Sequence, residues 1–470
     1  MVAVRLVSSS DPMNLQVGNL PAVPQNRWQR SAGAVERLFQ YRERGSTFWT
    51  EVLGGITTFG TLSYVLIVHP LILSEAGMDR GALITTTALA AAIFSIIMGL
   101  RTNYPLAMAP GMGVNAYVAV QVCQGMHIPW QAAIGMVFYS GLLFLLVSAT
   151  GIRRKLIESF PLSFKKTVGA GIGLFIAFIG LRNAGIIIPD PRSIASLGNF
   201  ASAAVILGFA GILLTIILVN RGVRGALVLS IVLITTLGIF LPSGTAGAKI
   251  TPVPHQFFGW PHSISPLFLK LDLVYPLRHL SQSIPIVFAL LFADLFSAMA
   301  TLMAIGTRAH LNDENGDLPK LREALSADAA AASGGALLGT TTTVIYIESA
   351  AGVEQGARTG LTSIVVAVCF MAALFLTPLI AIVPAVATTP ALVMIGIFMM
   401  EGFAELDLRD GIVAATALVT FMLTLLGSVS DGLALGFITN IVLLAALGRR
   451  REVKPLAYVL AGILMLHYVL

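Results

Sequence analysis

Between Ala329 and Val353 of this 470-residue chain the only charged residue is Glu348. A carboxylate in an apolar run of that length costs several kcal/mol to bury unless it is paired, solvated or protonated, so it points to a binding or proton-carrying role. A hydrogen bond to a helix end is the structural alternative. Its neighbours suit a break in a membrane span. Thr340 to Thr343 with Val344 and Ile345 favour extended backbone, and Ser349, Ala350, Ala351 and Gly352 then let a close-packed helix begin. A second interruption reads PLAMAPGMGVNAY at 105–117. There Pro105 and Pro110 remove backbone donors, and Gly111 and Gly113 admit unusual dihedrals, so no continuous helix is expected through 105–113. Asn115 follows, with an amide that offers donor and acceptor to the edge of a neutral heterocycle. Capping the half-helix that begins there is an equal reading. Asp294, Ser297 and Thr301, spaced i, i+3 and i+7, form a polar stripe on one face of an apolar helix and should look into the protein. Asp328 and Glu51 lie near the ends of spans, where solvation or capping accounts for them.

The elements that carry these groups are set by composition. With 56% hydrophobic and 11% charged residues and a mean hydropathy of +0.86, the apolar content exceeds what a soluble core needs. This predicts an all-α polytopic protein in a lipid bilayer. At about 20 residues per helix the apolar runs divide into about fourteen spans or half-spans. The first half gives 51–73, 81–100, 104–123, 129–150, 167–188, 201–219 and 224–242. After a polar connection at 243–282, the second gives 283–306, 325–342, 343–356, 359–384, 386–403, 409–427 and 431–448. The run 455–470 reads as an interfacial helix or an extra span. Cys123 and Cys369 stand alone in apolar segments and the seven histidines lack metal-ligand spacing, so neither a metal nor another cofactor is expected. The net charge of +6 could suit nucleic acid, but the basic residues cluster at the ends of apolar runs, where they set topology instead. Residues 1–45 carry Arg27, Arg30, Arg37, Arg42 and Arg44 without a short apolar core or a cleavage site, which reads as a cytoplasmic tail.

With the N-terminus inside, the cytoplasmic side receives all but six of the 29 lysines and arginines, the exceptions being Arg80, Arg182, Arg192, Lys249, Lys270 and Arg278. An even number of spans with both termini cytoplasmic follows. Seven spans, a long outer connection and seven more start the second half from the opposite face, which is the arithmetic of an inverted repeat. Interrupted segments in corresponding positions of two such halves mark the midplane site of a secondary transporter, because broken helices aim free N–H groups at substrate.

The stretches TEVLGGITTFGTLSYVLIVHPLIL (50–73), NYPLAMAPGMGVNAY (103–117), VGAGIGLFIAFIGLRNAG (168–185) and YIESAAGVEQGARTGLT (346–362) resemble the purine permeases of the nucleobase/ascorbate (xanthine/uracil permease) transporter superfamily. The branch most resembled is the AzgA-like hypoxanthine, guanine and adenine permeases, in order from about residue 37 to 450. This resemblance implies fourteen transmembrane segments in two inverted seven-segment repeats, with short strands in interrupted segments 3 and 10. It implies a substrate-binding core domain (46–150 and 283–384) that moves, elevator-like, against a gate domain (151–242 and 385–450). The connection 243–282 would then be extracytoplasmic, and 451–470 a C-terminal segment. Import of a purine nucleobase by proton symport across the plasma (inner) membrane, and a gate-mediated homodimer, are implied likewise. The candidate substrate-binding residues are Glu348, Asn115, Ser297, Ser349, Gly113 and Ala350; the proton-coupling candidates are Glu348 and Asp294; none is catalytic.

Two positions depart from the family pattern. His69 precedes Pro70 where the family has asparagine, and DLFSAMAT places Ser297 where the family carries a second aspartate. Substrate choice and proton coupling are the properties these departures touch. An intramembrane hydrolase would need paired carboxylates or a Ser/His pair, but the sequence places no second acid beside Glu348 and the histidines fall mostly near segment ends or in loops. A channel fits the inverted repeat poorly. Among transporters, a pyrimidine or anion permease is the alternative.

Overall fold

The computed structural model describes residues 35–149, 161–190, 194–243, 248–254, 256–313, 318–425 and 429–469. Most of the expected cytoplasmic tail, with Arg27 and Arg30, and the basic run Arg153, Arg154 and Lys155 lie outside the described residues. A short helix at 35–39 belongs to the first of two compact units, which ends at Gln40; the second unit, Tyr41–Leu470, holds all the other elements.

Among the described residues nine helical runs are long and apolar enough to cross a membrane, and three shorter apolar helices accompany them. The first run is two helices, α1 (Phe48–Leu62) and α2 (Val65–Ser74), which meet at Ser63 and Tyr64. Thr47 caps α1 by accepting from Thr50 N at 3.1 Å, and Asp79 caps α3 (Arg80–Thr102) by accepting from Ala82 N at 2.7 Å. Next come β1 (Met108–Pro110), α4 (Met112–Ala116) and a π-helical stretch Tyr117–Gly125, then α5 (Trp130–Ala149) and α6 (Leu162–Asn183). A hairpin of β2 (Ile187–Asp190) and β3 (Ile194–Leu197) leads to α7 (Ala203–Asn220) and α8 (Ala226–Gly238). The second half runs α9 (Leu280–Arg308), α10 (Leu321–Leu338), β4 (Thr343–Ile345), α11 (Ser349–Glu354) and α12 (Leu361–Ala373). It ends with α13 (Ala385–Met399), α14 (Gly411–Leu425), α15 (Val429–Ala446) and α16 (Pro455–Val469). Within the run 455–470, Pro455–Val469 is thus a helix, docked on α15, where the Tyr468 hydroxyl donates to Asp431 Oδ1 at 2.7 Å.

Packing sorts the helices into two sets. α3 lies against α2, α10 and α12, and α10 against α5; separately, α13 packs on α6, α7 and α8, and α14 on α6 and α15. Surfaces away from these contacts are apolar. On α7 the residues Ile206, Phe209, Leu213 and Ile217 point outward while Gly208, Gly211, Ile212 and Thr215 are buried, as expected of a helix with one face in lipid. The connection 243–282 is less polar in place than its composition suggests. It exposes Phe257, Phe258 and Trp260 and is tied down by backbone bonds from Gly259 N to Phe375 O (3.0 Å), Leu269 N to Leu337 O (3.0 Å) and Asp272 N to Gln131 O (2.8 Å).

Exposed strand edges are not tolerated in hydrocarbon, so both interruptions must be paired inside the protein. They pair with each other. β1 and β4 run antiparallel, with Met108 opposite Ile345 and Pro110 opposite Thr343, and all six residues are buried. Bonds from Gly111 N to Thr342 O (2.8 Å) and Tyr346 N to Ala107 O (3.0 Å) extend the ladder at both ends. Because the strands are antiparallel, α4 and α11 start at opposite ends of the ladder and leave it in opposite directions. The chain enters β4 from α10 through Gly339, whose φ of +86° and close approach to Leu267 exclude any side chain.

Candidate functional site

A cavity of about 560 Å³ opens between the two helix sets. From the first set it is lined by Tyr64, Gly113, Asp294, Ser297, Tyr346 and Glu348, and from the second by Ile172, Ile395, Phe398, Met399 and Val429. Lys165 and Lys166, in the first turn of α6, line it too and add positive charge. The apolar walls and few polar groups suit a small flat ligand held by a handful of directed bonds.

Glu348 stands at the start of α11 and is anchored from the α1–α2 junction: the Tyr64 hydroxyl donates to its Oε1 at 2.6 Å. Its Oε2 has no protein partner among the described residues. One oxygen is thereby fixed in place and the other remains able to accept a hydrogen bond from something in the cavity. Asp294, largely buried at the cavity wall, accepts from Thr342 Oγ1 at 3.2 Å through Oδ1, and its Oδ2 has no partner among the described residues. Ser297, one turn further along α9, is exposed to the cavity, and Thr301 lines it as well, so the whole stripe Asp294, Ser297 and Thr301 faces one space. At Gly113 a methyl group would stand 2.9 Å from Ile172 Cγ2 and 3.6 Å from Met399 Cε, so the missing side chain lets α4 approach α6 and α13 at the cavity wall.

Three of the sequence candidates are placed elsewhere. Asn115 is fully buried and does not line the cavity. Its Nδ2 meets His69 Nδ1 at 2.5 Å, its Oδ1 accepts from the Thr341 hydroxyl, and His69 Nε2 in turn meets Thr340 Oγ1 at 2.5 Å. It therefore ties α4 to α2 and to the lead-in of β4. Nor does it cap α4, since Gly111 holds that position. Ser349 is also buried, donating to Tyr346 O (2.7 Å) and accepting from Ala107 N (2.9 Å), a clasp across the ladder; Ala350 beside it is buried and away from the cavity. The two acids assigned to span ends have long-range tasks. Asp328 is fully buried rather than solvated, and accepts from Ile345 N at 2.9 Å, which holds β4 against α10. Glu51 is buried too, and caps a distant turn instead of its own helix, accepting from Arg358 N (2.8 Å), Thr359 N (3.2 Å) and Thr362 Oγ1 (2.6 Å) just before and within α12.

Sequence reasoning did not single out Tyr64 or Tyr346. Tyr346 donates its hydroxyl to Pro110 O and closes the cavity floor over the strand pair. A polar ring in an apolar span, Tyr64 between two helices and Tyr346 after β4, was the available signal.

Against known proteins, residues 50–441 match the family described as Permease family. The adenine permease AdeP of Escherichia coli is 36% identical, over 93% of this chain and 96% of its own length. The guanine/hypoxanthine permease PbuG of Bacillus subtilis is 37% identical, over 93% and 99%. Among solved structures, the transmembrane domain of the cyanobacterial bicarbonate transporter BicA superposes with a TM-score of 0.61 at 15% identity, covering 80% of this chain and 97% of that one, a likeness of fold alone. With these matches and its stack of apolar spans, the chain is a multi-pass integral membrane protein and belongs to the Permease family.

Proposed function

We propose that this protein is a secondary transporter that imports a purine nucleobase, namely adenine, guanine or hypoxanthine, and that the base is held in the cavity between the helix sets. The observation that carries the reading is Glu348: a carboxylate lining an apolar cavity, one oxygen oriented by Tyr64 and the other unpartnered. A purine presents a ring N–H and, in adenine and guanine, an exocyclic amine, both donors that match a carboxylate. The names of AdeP and PbuG support the same substrate class. Ser297 is the second polar contact, since its hydroxyl can donate to a ring nitrogen or a carbonyl. Gly113 presents bare backbone at the cavity wall, and Asn115, Ser349 and Ala350 position the half-helices around the site.

The remainder of the reading follows the fourteen-segment, inverted-repeat scheme. The helices of 46–150 and 283–384 act as the moving core and those of 151–242 and 385–450 as the gate, with both termini cytoplasmic in the inner membrane and the gate able to form a homodimer. The packing of the helices into two sets with the cavity between them supports an elevator-like movement. Glu348 and Asp294, each with an unpartnered oxygen, are the groups that would carry a proton. The test is competition of labelled hypoxanthine uptake by adenine, guanine, xanthine, uracil and sulfate. Displacement by purines alone is expected; displacement by uracil or sulfate, with none by adenine or guanine, overturns the assignment in favour of a pyrimidine or anion permease.

A further inference from the structure

A second cavity, of about 470 Å³, lies apart from the first and is lined by Arg44, Tyr104, His310, Lys320 and Arg358 with a few apolar neighbours. Three cations and an imidazole converge on it, and no carboxylate among the described residues lines it. The described carboxylates of the surrounding elements are engaged otherwise or set back. Glu51 binds the backbone N–H of Arg358, Glu354 pairs with Arg308 at 3.6 Å, and Glu43, Asp313 and Glu323 are not part of the wall.

Both arginines are pre-oriented. Arg44 Nη1 donates to Asn103 O (2.7 Å) and Arg358 O (3.3 Å), and Arg358 Nη1 donates to Val353 O (2.8 Å) and Ala357 O (2.7 Å). Each guanidinium is thus pinned through one nitrogen by neutral carbonyls, while its remaining N–H groups have no protein acceptor among the described residues. The Lys320 side chain has none either among the described residues; its backbone alone is bonded, the N–H to the Tyr104 hydroxyl at 3.0 Å and the carbonyl to Ala324 N at 3.0 Å. Anchored planar forks beside the Lys320 ammonium form a donor set that recognises a phosphate group, and three cations whose cavity is lined by no carboxylate among the described residues repel one another until an anion arrives. The geometry points to a phosphate-binding site here, at the end of α11 remote from Glu348, filled by the phosphate of either a small soluble anion or an anionic lipid headgroup.

The experiment uses the purified full-length protein. Binding of radiolabelled inorganic phosphate is measured by equilibrium dialysis at fixed ionic strength in chloride, and retention of phosphatidylglycerol against phosphatidylcholine is measured by native mass spectrometry from mixed nanodiscs. Lys320→Gln keeps both arginine anchors and the backbone bond to Tyr104, and Arg44→Gln removes one fork. Loss of one charge-assisted bond should weaken binding about tenfold or more in each. Saturable phosphate binding that falls in both variants identifies a soluble anion. Selective retention of phosphatidylglycerol that falls in both, without phosphate binding, identifies a headgroup. No binding of either probe, or binding unchanged in folded Lys320→Gln, overturns the site.

Discussion

Replacing Glu348 by glutamine isolates the contact on which the functional reading stands. The amide keeps the shape of the carboxylate but exchanges one acceptor for a donor. If its oxygen stays toward Tyr64, which donates at 2.6 Å, the NH₂ group points at the donor edge of the purine. If the amide flips, the Tyr64 hydroxyl, buried and bonded to nothing else among the described residues, must turn to accept and its own hydrogen loses its acceptor. Either arrangement therefore loses a bond to a charged group, worth about 1.5 to 3 kcal/mol, and leaves one buried donor unpaired at a further cost of about 1 to 3 kcal/mol. Together about 2.5 to 6 kcal/mol is roughly two to four powers of ten in Kd. The measurement is equilibrium binding of labelled purine to the purified variant, with its melting temperature recorded to show that it is folded. Tyr64→Phe and the double variant complete a cycle in which the two changes should fall well short of additive. A folded Glu348→Gln protein that binds purine within a few-fold of wild type would refute the reasoning.

In proteoliposomes Ser297→Asp should make uptake depend more steeply on an inward proton gradient, because a second acid near Glu348 raises the affinity of the pair for a proton; gradient-driven accumulation already strong in wild type and unchanged in the variant would exclude this position from coupling. Asn115→Ala should lower the melting temperature by stranding His69 and Thr341, at about 1 to 3 kcal/mol per unpaired group, and should weaken purine binding less than Glu348→Gln does. A larger effect on binding with unchanged stability would restore Asn115 to direct contact. Gly113→Ala should cost about 1 to 3 kcal/mol of stability, since its methyl group meets Ile172 and Met399, and should slow uptake more than it weakens binding if those walls move past each other; equal losses in rate and affinity would argue for simple crowding of the ligand.

How much of the fold and the site was legible in the residues depended on how local the signal was. Residues 105–113 announced a break because prolines and glycines act on their own backbone, and Asp294, Ser297 and Thr301 announced a shared face because helix periodicity puts them there. Glu348 stood out because a lone acid in an apolar run has few explanations. What escaped reading was partnership across the chain. Nothing near Tyr64 indicates that it bonds a residue 284 positions away, and nothing near His69 indicates Thr340, 271 positions on. Asn115 shows the same limit: its amide suits a purine edge and a buried histidine equally well, and only the packing of α2 on α4 brings His69 to it. The same holds for Asp328 and Glu51, whose positions near span ends suggested solvation or a local cap, whereas Asp328 serves the backbone of β4 and Glu51 caps a turn 307 residues away.

The pairing of β1 with β4 also sets a constraint on biogenesis. The Tyr346 hydroxyl and Pro110 O meet across 236 residues of sequence, so the first strand is made long before its partner exists. At about 5 to 20 residues per second a ribosome needs roughly ten to fifty seconds to supply it. During that interval the backbone of 105–111 cannot rest in lipid with its polar groups unpaired. The nascent first half must wait beside the insertion machinery or at the wet face of the bilayer, and the central cavity is assembled only when translation is nearly over. A chain stopped before residue 343 would carry an open strand edge, which marks it for the cell's membrane proteases instead of leaving it as a half-built carrier.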